Sequence, residues 1–185
     1  MGLRPGIEPG FYISLKMESN HMASKTSGQF GEYTVAAELS RRGLVATTFT
    51  RNMEGFDILA INTNTNKSFR VQVKTITSGE WSFQANNYLY FDEETLEKKG
   101  KQIITGVKQN NKADYIVLVK RGNERREDKF FILRYPKFVE LLKDKYEAFL
   151  KRIGGKRPRT PKAMHETLDE ADLAKYLENW GVFST

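Results

Sequence analysis

Apolar positions recur along this chain with two different spacings, and their order predicts the architecture. Between Gly28 and Gly43, Val35, Ala36 and Leu39 repeat at helical spacing, and Gly43 follows Arg42 as a stop. This predicts a helix over 28–42. Glu32 lies three and four residues before Val35 and Ala36 and seven before Leu39, so it falls on the buried stripe. Glu38 groups instead with Thr34, Arg41 and Arg42 on the wet face. Residues 44–49 read as an edge strand. Two short runs rich in β-branched and aromatic residues follow, 56–61 and 69–76, around the turn-formers Asn62-Thr63-Asn64-Thr65-Asn66-Lys67. They predict a β-hairpin. Symmetry about the Asn64–Thr65 bond sets Asp57 opposite Gln72. Lys74, two residues on, then shares the face of Gln72.

Further along, 81–84 and 88–91 are strands or an aromatic loop, with a short helix over 92–99. Residues 113–119 form a near-continuous apolar run, the pattern of a central buried strand. Residues 130–133 make another strand, joined to it by the polar stretch 120–129 as a hairpin. Pro136 opens an amphipathic helix to Arg152, with Phe138, Leu141, Leu142, Tyr146, Phe149 and Leu150 on one side. A last helix is expected over 168–180. Residues 1–23 show no sustained periodicity and read as a flexible extension. Their apolar stretch 10–15 is too short for a signal-peptide core. One domain is expected over 24–185, without internal repeats.

Composition narrows the function. A chain of 185 residues with 39% hydrophobic and 12% aromatic content can bury a proper core. The absence of cysteine excludes disulfides, thiol nucleophiles and zinc–thiolate sites. Two histidines, His21 and His165, both expected in loops, argue against a histidine metal cage or a Ser-His-Asp triad. No apolar run approaches the length of a membrane span, so a cytoplasmic protein without membrane partners is expected. The net charge of +7 suits a polyanionic partner. Within 151–162, Lys151, Arg152, Lys156, Arg157, Arg159 and Lys162 occur without an acid among Gly and Pro residues. This loop is either a phosphate-contacting element or a solvated linker. Six phosphate contacts would give a salt slope of roughly −5. Trp81, Phe83 and Tyr88, near Asn86 and Asn87, offer stacking on bases, with at least two of the three expected in the core.

The candidate chemistry lies in the predicted hairpin. A hard cation takes oxygen ligands, typically one or two carboxylates with water and phosphate. Asp57 supplies a carboxylate and Gln72 a neutral oxygen. Lys74 cannot bind metal, but it can orient or deprotonate water or stabilise charge on a phosphate. Each residue alone has a plainer reading: Asp57 as a strand-start cap, Lys74 as a solvent-facing side chain, Glu32 as a first-turn acid favoured by the helix dipole. A carboxylate on a buried stripe is costly unless paired or metal-bound. Glu32, Asp57 and Lys74 taken together therefore point to a shared site.

These residues resemble the PD-(D/E)XK, or restriction-endonuclease-like, nuclease superfamily. Its core is a helix bearing Glu, then a hairpin with Asp on the first strand and (D/E)-X-Lys on the second. The corresponding residues are Glu32, Asp57 and Gln72-Val73-Lys74. The frame Gly31-Glu32, Arg42-Gly43, Gly55-Phe56-Asp57-Ile58-Leu59-Ala60 and Val71-Gln72-Val73-Lys74-Thr75 is similar to small bacterial and archaeal members, including Holliday-junction resolvases and stand-alone endonuclease-like proteins. The resemblance covers residues 28–120. Phe56 replaces the eponymous Pro, and Gln72 replaces an acidic ligand, which removes one negative charge; some active members resemble this Gln-X-Lys variant.

The resemblance implies an α/β fold with a restriction-endonuclease-like core, a central mixed β-sheet flanked by helices. It also implies a Mg²⁺- or Mn²⁺-dependent endonuclease hydrolysing DNA phosphodiester bonds. Asp57 would be the principal metal ligand and Gln72 a secondary one, with Lys74 the catalytic base or charge stabiliser. Glu32 would be a supporting ligand or an orienter of Lys74. A homodimer would most easily cut both strands of a duplex. Two other readings stand beside this one: a catalytically inactive DNA-binding module on the same fold, and a protein-interaction domain in which Asp57 and Lys74 form a buried ion pair.

Overall fold

The structure, a computed structural model, describes residues 26–49, 54–109 and 112–184. The expected extension over 1–23, the boundary at 24 and His21 lie outside them. The first helix, α1, covers 26–41. In chain order the strands are β1 (Leu44–Thr48), β2 (Ile58–Asn62), β3 (Lys67–Ile76), β4 (Trp81–Gln84), β5 (Leu89–Phe91), β6 (Ile104–Val107), β7 (Tyr115–Lys120), β8 (Lys129–Arg134) and β9 (His165–Leu168). Helix α2 (Glu93–Lys99) follows β5, α3 (Tyr135–Arg152) follows β8, and the single turn α4 (Glu170–Leu173) follows β9.

The main sheet has five strands in the order β1-β2-β3-β7-β8. Only β3 and β7 run parallel, with Gln72 level with Ile116 and Lys74 with Leu118. The sheet is therefore mixed and flanked by helices, as the sequence predicts. Strand alternation divides the core in two. Val35 and Leu39 of α1 pack on Phe69, Val71, Val73, Val117 and Val119. Phe138, Leu142 and Tyr146 of α3 pack on the opposite face with Ile116, Leu118, Phe131 and Leu133. β7 is buried on both faces, which explains its unbroken apolar run. Asp114, just before it, accepts from the Arg70 backbone amide at 2.8 Å and from its guanidinium at 2.8 and 3.1 Å, which fastens the start of β7 to β3. Among the described residues no helix is long and apolar enough to cross a membrane.

Three sequence expectations are corrected. The expected helix over 168–180 is instead β9, α4 and two 3₁₀ turns. Leu168 and Leu173 belong to the α3 side of the core, whereas Trp180 and Phe183 belong to the α1 side. A straight helix cannot serve both layers. The segment passes the edge of β8, where Leu177 bridges Phe131 and the Glu178 amide donates to the Phe130 carbonyl. His165, expected in a loop, lies in β9 opposite Gln84. Glu38 and Thr34 are not on a wet face. The Thr34 hydroxyl donates to the Phe30 carbonyl at 2.8 Å, and the Glu38 side chain, 12% exposed, accepts from Arg42 and Arg125. The turn carrying Arg125 folds over this side of α1, and Arg42 lies over the Trp180 ring at 4.4 Å. β6, paired with β5, had no distinct signal in the sequence.

One buried side chain joins the segment after α3 to the core. Gln102 donates to the carbonyls of Pro161 (2.6 Å) and Ala163 (3.0 Å) and accepts from the Tyr146 hydroxyl. Gln102→Leu would strand all three partners, and each buried unpaired group costs about 1–3 kcal/mol. Urea denaturation is expected to show a loss of about 3 kcal/mol or more for Gln102→Leu, and about 1–2 kcal/mol for Tyr146→Phe. A change below about 0.5 kcal/mol for Gln102→Leu, the range of an ordinary surface substitution, would deny the side chain this role.

Candidate active site

The β2–β3 hairpin has the predicted register, with Ile58 opposite Val71 and Asn62 opposite Lys67. The turn sets it. The Asn62 side-chain oxygen accepts from the amides of Asn64 (3.1 Å) and Thr65 (3.3 Å), and Asn66 takes a left-handed conformation, φ 54°, that asparagine tolerates. Val71 and Val73 point into the α1 layer, so Gln72 and Lys74 project from the other face.

Asp57 precedes β2 by one residue. It is not the direct ladder partner of Gln72 that hairpin symmetry suggests, because the ladder ends at Ile58. The Asp57 amide donates to the Val71 carbonyl at 2.9 Å, and its Oδ2 accepts from the Val73 amide at 2.7 Å. The side chain takes the main-chain donor that a longer β2 would have used. It thereby lies against the backbone between Gln72 and Lys74. Gly55 turns the chain into this position with φ 94°, and the Lys112 stem occupies the place a Cβ would take, 2.1 Å away.

Glu32 stands on α1, on the layer across the sheet from the face of Gln72 and Lys74, and acts on Asp57 and Lys74 through charge. Burial raises its carboxyl pKa, the Asp57 charge raises it further, and the Lys74 ammonium draws it down. Burial also raises the Asp57 carboxyl, against the opposing pull of the Val73 amide and Lys74. The three charges thus share one electrostatic neighbourhood. Beside them, the buried Gln72 Oε1 has no hydrogen-bond partner among the described residues. Such an acceptor costs about 1–3 kcal/mol when nothing satisfies it. In donor type, carboxylates and an orphaned amide oxygen match what a hard divalent cation takes, with water in its remaining positions. No group of three His, Cys, Asp or Glu able to hold a metal occurs among the described residues.

The expected nucleic-acid contacts separate. Trp81 is 2% exposed, packs edge-on against Phe131 at 5.5 Å and donates its indole N–H to the Lys74 carbonyl at 3.1 Å. It cannot stack on a base; it braces the strand behind Lys74. Phe83 and Tyr88 are buried too. Arg157 turns inward over Phe149 at 4.3 Å and donates to the His165 carbonyl at 2.5 Å. Lys151 and Arg152 form the exposed last turn of α3, and Lys156, Arg159 and Lys162 are exposed on the segment after it. The Val73 amide, a functional group of the site, carries no side-chain signal that sequence reading could find.

The raised Asp57 pKa has a defined sign. The folded state holds this proton more tightly than the unfolded chain, so stability falls as pH rises from the ordinary carboxylate range through the raised value, and is level above it. Asp57→Asn keeps an acceptor for the Val73 amide and removes the charge. The variant is expected to show a higher denaturation midpoint than the parent at pH 7, with the difference vanishing in acid. A lower midpoint at pH 7 would mark the ionised carboxylate as a net stabiliser instead.

No family model matches the chain, and no curated protein does. Among solved structures it is similar to a bacterial homing endonuclease, I-Ssp6803I, with a TM-score of 0.50 and 12% sequence identity, over 86% of this chain and 92% of that one. At this identity the likeness is one of fold.

Proposed function

We propose that the protein is a Mg²⁺- or Mn²⁺-dependent DNA endonuclease of the PD-(D/E)XK type with a Gln-X-Lys variant motif. The observation that carries this reading is the Asp57 carboxylate held by the Val73 amide, next in sequence to the unpartnered buried oxygen of Gln72, with Glu32 and Lys74 in the same electrostatic neighbourhood. Asp57, Gln72 and Glu32 would hold the cation. Once bound, it would polarise the scissile phosphate and lower the pKa of attacking water. The Val73 amide holds Asp57 in place. Lys74 Nζ orients the attacking water and stabilises charge on the phosphate oxygens as the new P–O bond forms and the old one breaks. The fold likeness to an endonuclease and the net charge of +7 support a DNA substrate. Cutting both strands of a duplex would call for a second copy of the chain.

The departure at Gln72 favours one rival, a DNA-binding module on the same fold that has lost its cation. Titration with Mn²⁺ separates the two, since a nuclease site binds it and a dead one does not. In a cleavage assay on labelled DNA substrates, Asp57→Ala and Lys74→Ala are each expected to lower Mg²⁺-dependent cutting by at least about 100-fold while DNA binding and folding persist. Gln72→Glu is expected to tighten Mn²⁺ binding and Gln72→Ala to weaken it. Cleavage undiminished in either alanine variant, Asp57→Ala or Lys74→Ala, overturns the assignment. With Arg157 turned inward, the five remaining cations of 151–162 contribute at most about −4.5 to the salt slope, so replacing all five by Ala is expected to flatten the measured slope by no more than that.

A further inference from the structure

Gly31 stands immediately before Glu32 on α1, and Thr75 immediately after Lys74 on β3. A Cβ placed on Gly31 would lie 1.8 Å from Thr75 Oγ1, 3.1 Å from its Cβ and 3.4 Å from its Cγ2. The helix backbone therefore rests directly on the threonine side chain. Gly31 is not required by its backbone conformation, since its φ is not among the positive ones. Glycine inside a helix is less stable there than alanine, so a packing reason is called for. Thr75 Oγ1 is buried and has no hydrogen-bond partner among the described residues. Its place is fixed by shape, and β-branching leaves the side chain little freedom to turn away.

We propose that Gly31 and Thr75 form a steric seat that sets the depth of α1 on β3 and so places Glu32 at the Asp57–Lys74 site. Both are positioning residues acting through Glu32, and the proposal rests on the nuclease reading above. One side of the contact adjoins Glu32 in sequence, so a shift here moves Glu32 relative to β3, which carries Lys74. An alanine at 31 would clash with the threonine hydroxyl 1.8 Å away, and β-branching resists turning that hydroxyl aside, so the helix moves from the strand; the Thr75 Cβ at 3.1 Å asks for only a few tenths of an ångström, so removing the hydroxyl and methyl at 75 relieves most of the clash. Displacements of about 1 Å in a site can cost about 100-fold in rate.

The test compares Gly31→Ala, Thr75→Ala, Glu32→Gln and their pairwise combinations in the full chain. Mn²⁺ affinity by calorimetry, cleavage rate and urea denaturation are measured for each. Gly31→Ala is expected to weaken Mn²⁺ binding by about 10-fold, as loss of a supporting group around a metal does. Adding it to Glu32→Gln should cost no further affinity, because both remove the same group from the site. Thr75→Ala is expected to restore most of the affinity lost in Gly31→Ala. A purely structural role would lower the denaturation midpoint and leave losses at Gly31 and Glu32 multiplying. Such multiplying losses, unchanged Mn²⁺ affinity in folded Gly31→Ala, or no rescue by Thr75→Ala would each overturn the seat. If Gly31→Ala alone fails to fold, Gly31→Ala with Thr75→Ala decides: affinity within a few-fold of the parent supports the seat, and a loss equal to that of Glu32→Gln overturns it. An unaltered protein that neither binds Mn²⁺ nor cuts DNA would end the nuclease reading and this proposal together. An active parent without coupling between Gly31 and Glu32 would end this proposal alone.

Discussion

The hydrogen bond from the Val73 amide to the Asp57 carboxylate is the constraint on which the candidate site depends. It ends β2, anchors the carboxylate to the backbone between Gln72 and Lys74, and does so in a strand flanked on both sides by others. A side chain fixed to main chain in this way has little rotamer freedom left. The cation site, if loaded, would inherit the rigidity of the sheet rather than that of a loop. The bond also offsets part of the burial that pushes the Asp57 carboxyl upward, yet does not cancel it. The site therefore retains unfavourable negative charge that the fold does not neutralise by itself.

That residue of charge makes chemical sense of the rest of the cluster. Asp57 and Glu32 repel one another, and Lys74 compensates both only in part. Burial of two like charges with one opposite charge is a poor arrangement for stability alone. A divalent cation would reverse the sign of the balance and give Gln72 Oε1 the partner it lacks. Among the described residues, two other carboxyls are differently placed. Glu38 meets Arg42 and Arg125, and Glu170 meets Lys120 and Lys129, so those carboxyls are held low. Carboxyls raised by burial, beside carboxyls held low by cations, mark the cluster as a candidate site rather than a surface ion network.

Much of this was legible in the residues. The register of β2 and β3 follows from the asparagine-rich turn and the alternation of Val71 and Val73, and the register places Gln72 and Lys74 on one face. Glu32 was visible as an acid on an apolar stripe. The manner in which Asp57 meets β3 was not, because a side chain that substitutes for a backbone acceptor leaves no periodic mark. Trp81 shows a different limit. An aromatic next to asparagines suits base stacking as well as it suits a core, and only the pairing of β4 with β9 decides for the core. The tail misled for a related reason. Leu168, Leu173 and Trp180 suggest one amphipathic helix, although they serve opposite layers and the chain must round the edge of β8 between them.

The amide at Gln72 shifts the weight of the site toward α1. With a carboxylate there, the hairpin alone could supply two charged ligands, and Glu32 would be an accessory. With glutamine, the hairpin offers one charge and one dipole, and the second charge has to come from a different element across the layer boundary. The site is then only as well defined as the packing of α1 on β3. Apolar contacts at Val35 and Leu39 hold the helix to the sheet but tolerate small slides, since one aliphatic surface fits another at several depths. A contact as close as that of Gly31 with Thr75 does not tolerate them. A neutral residue at 72 on β3 would thus raise the demand for steric definition one helix away, and a close approach of helix to strand lies next to Glu32 in sequence.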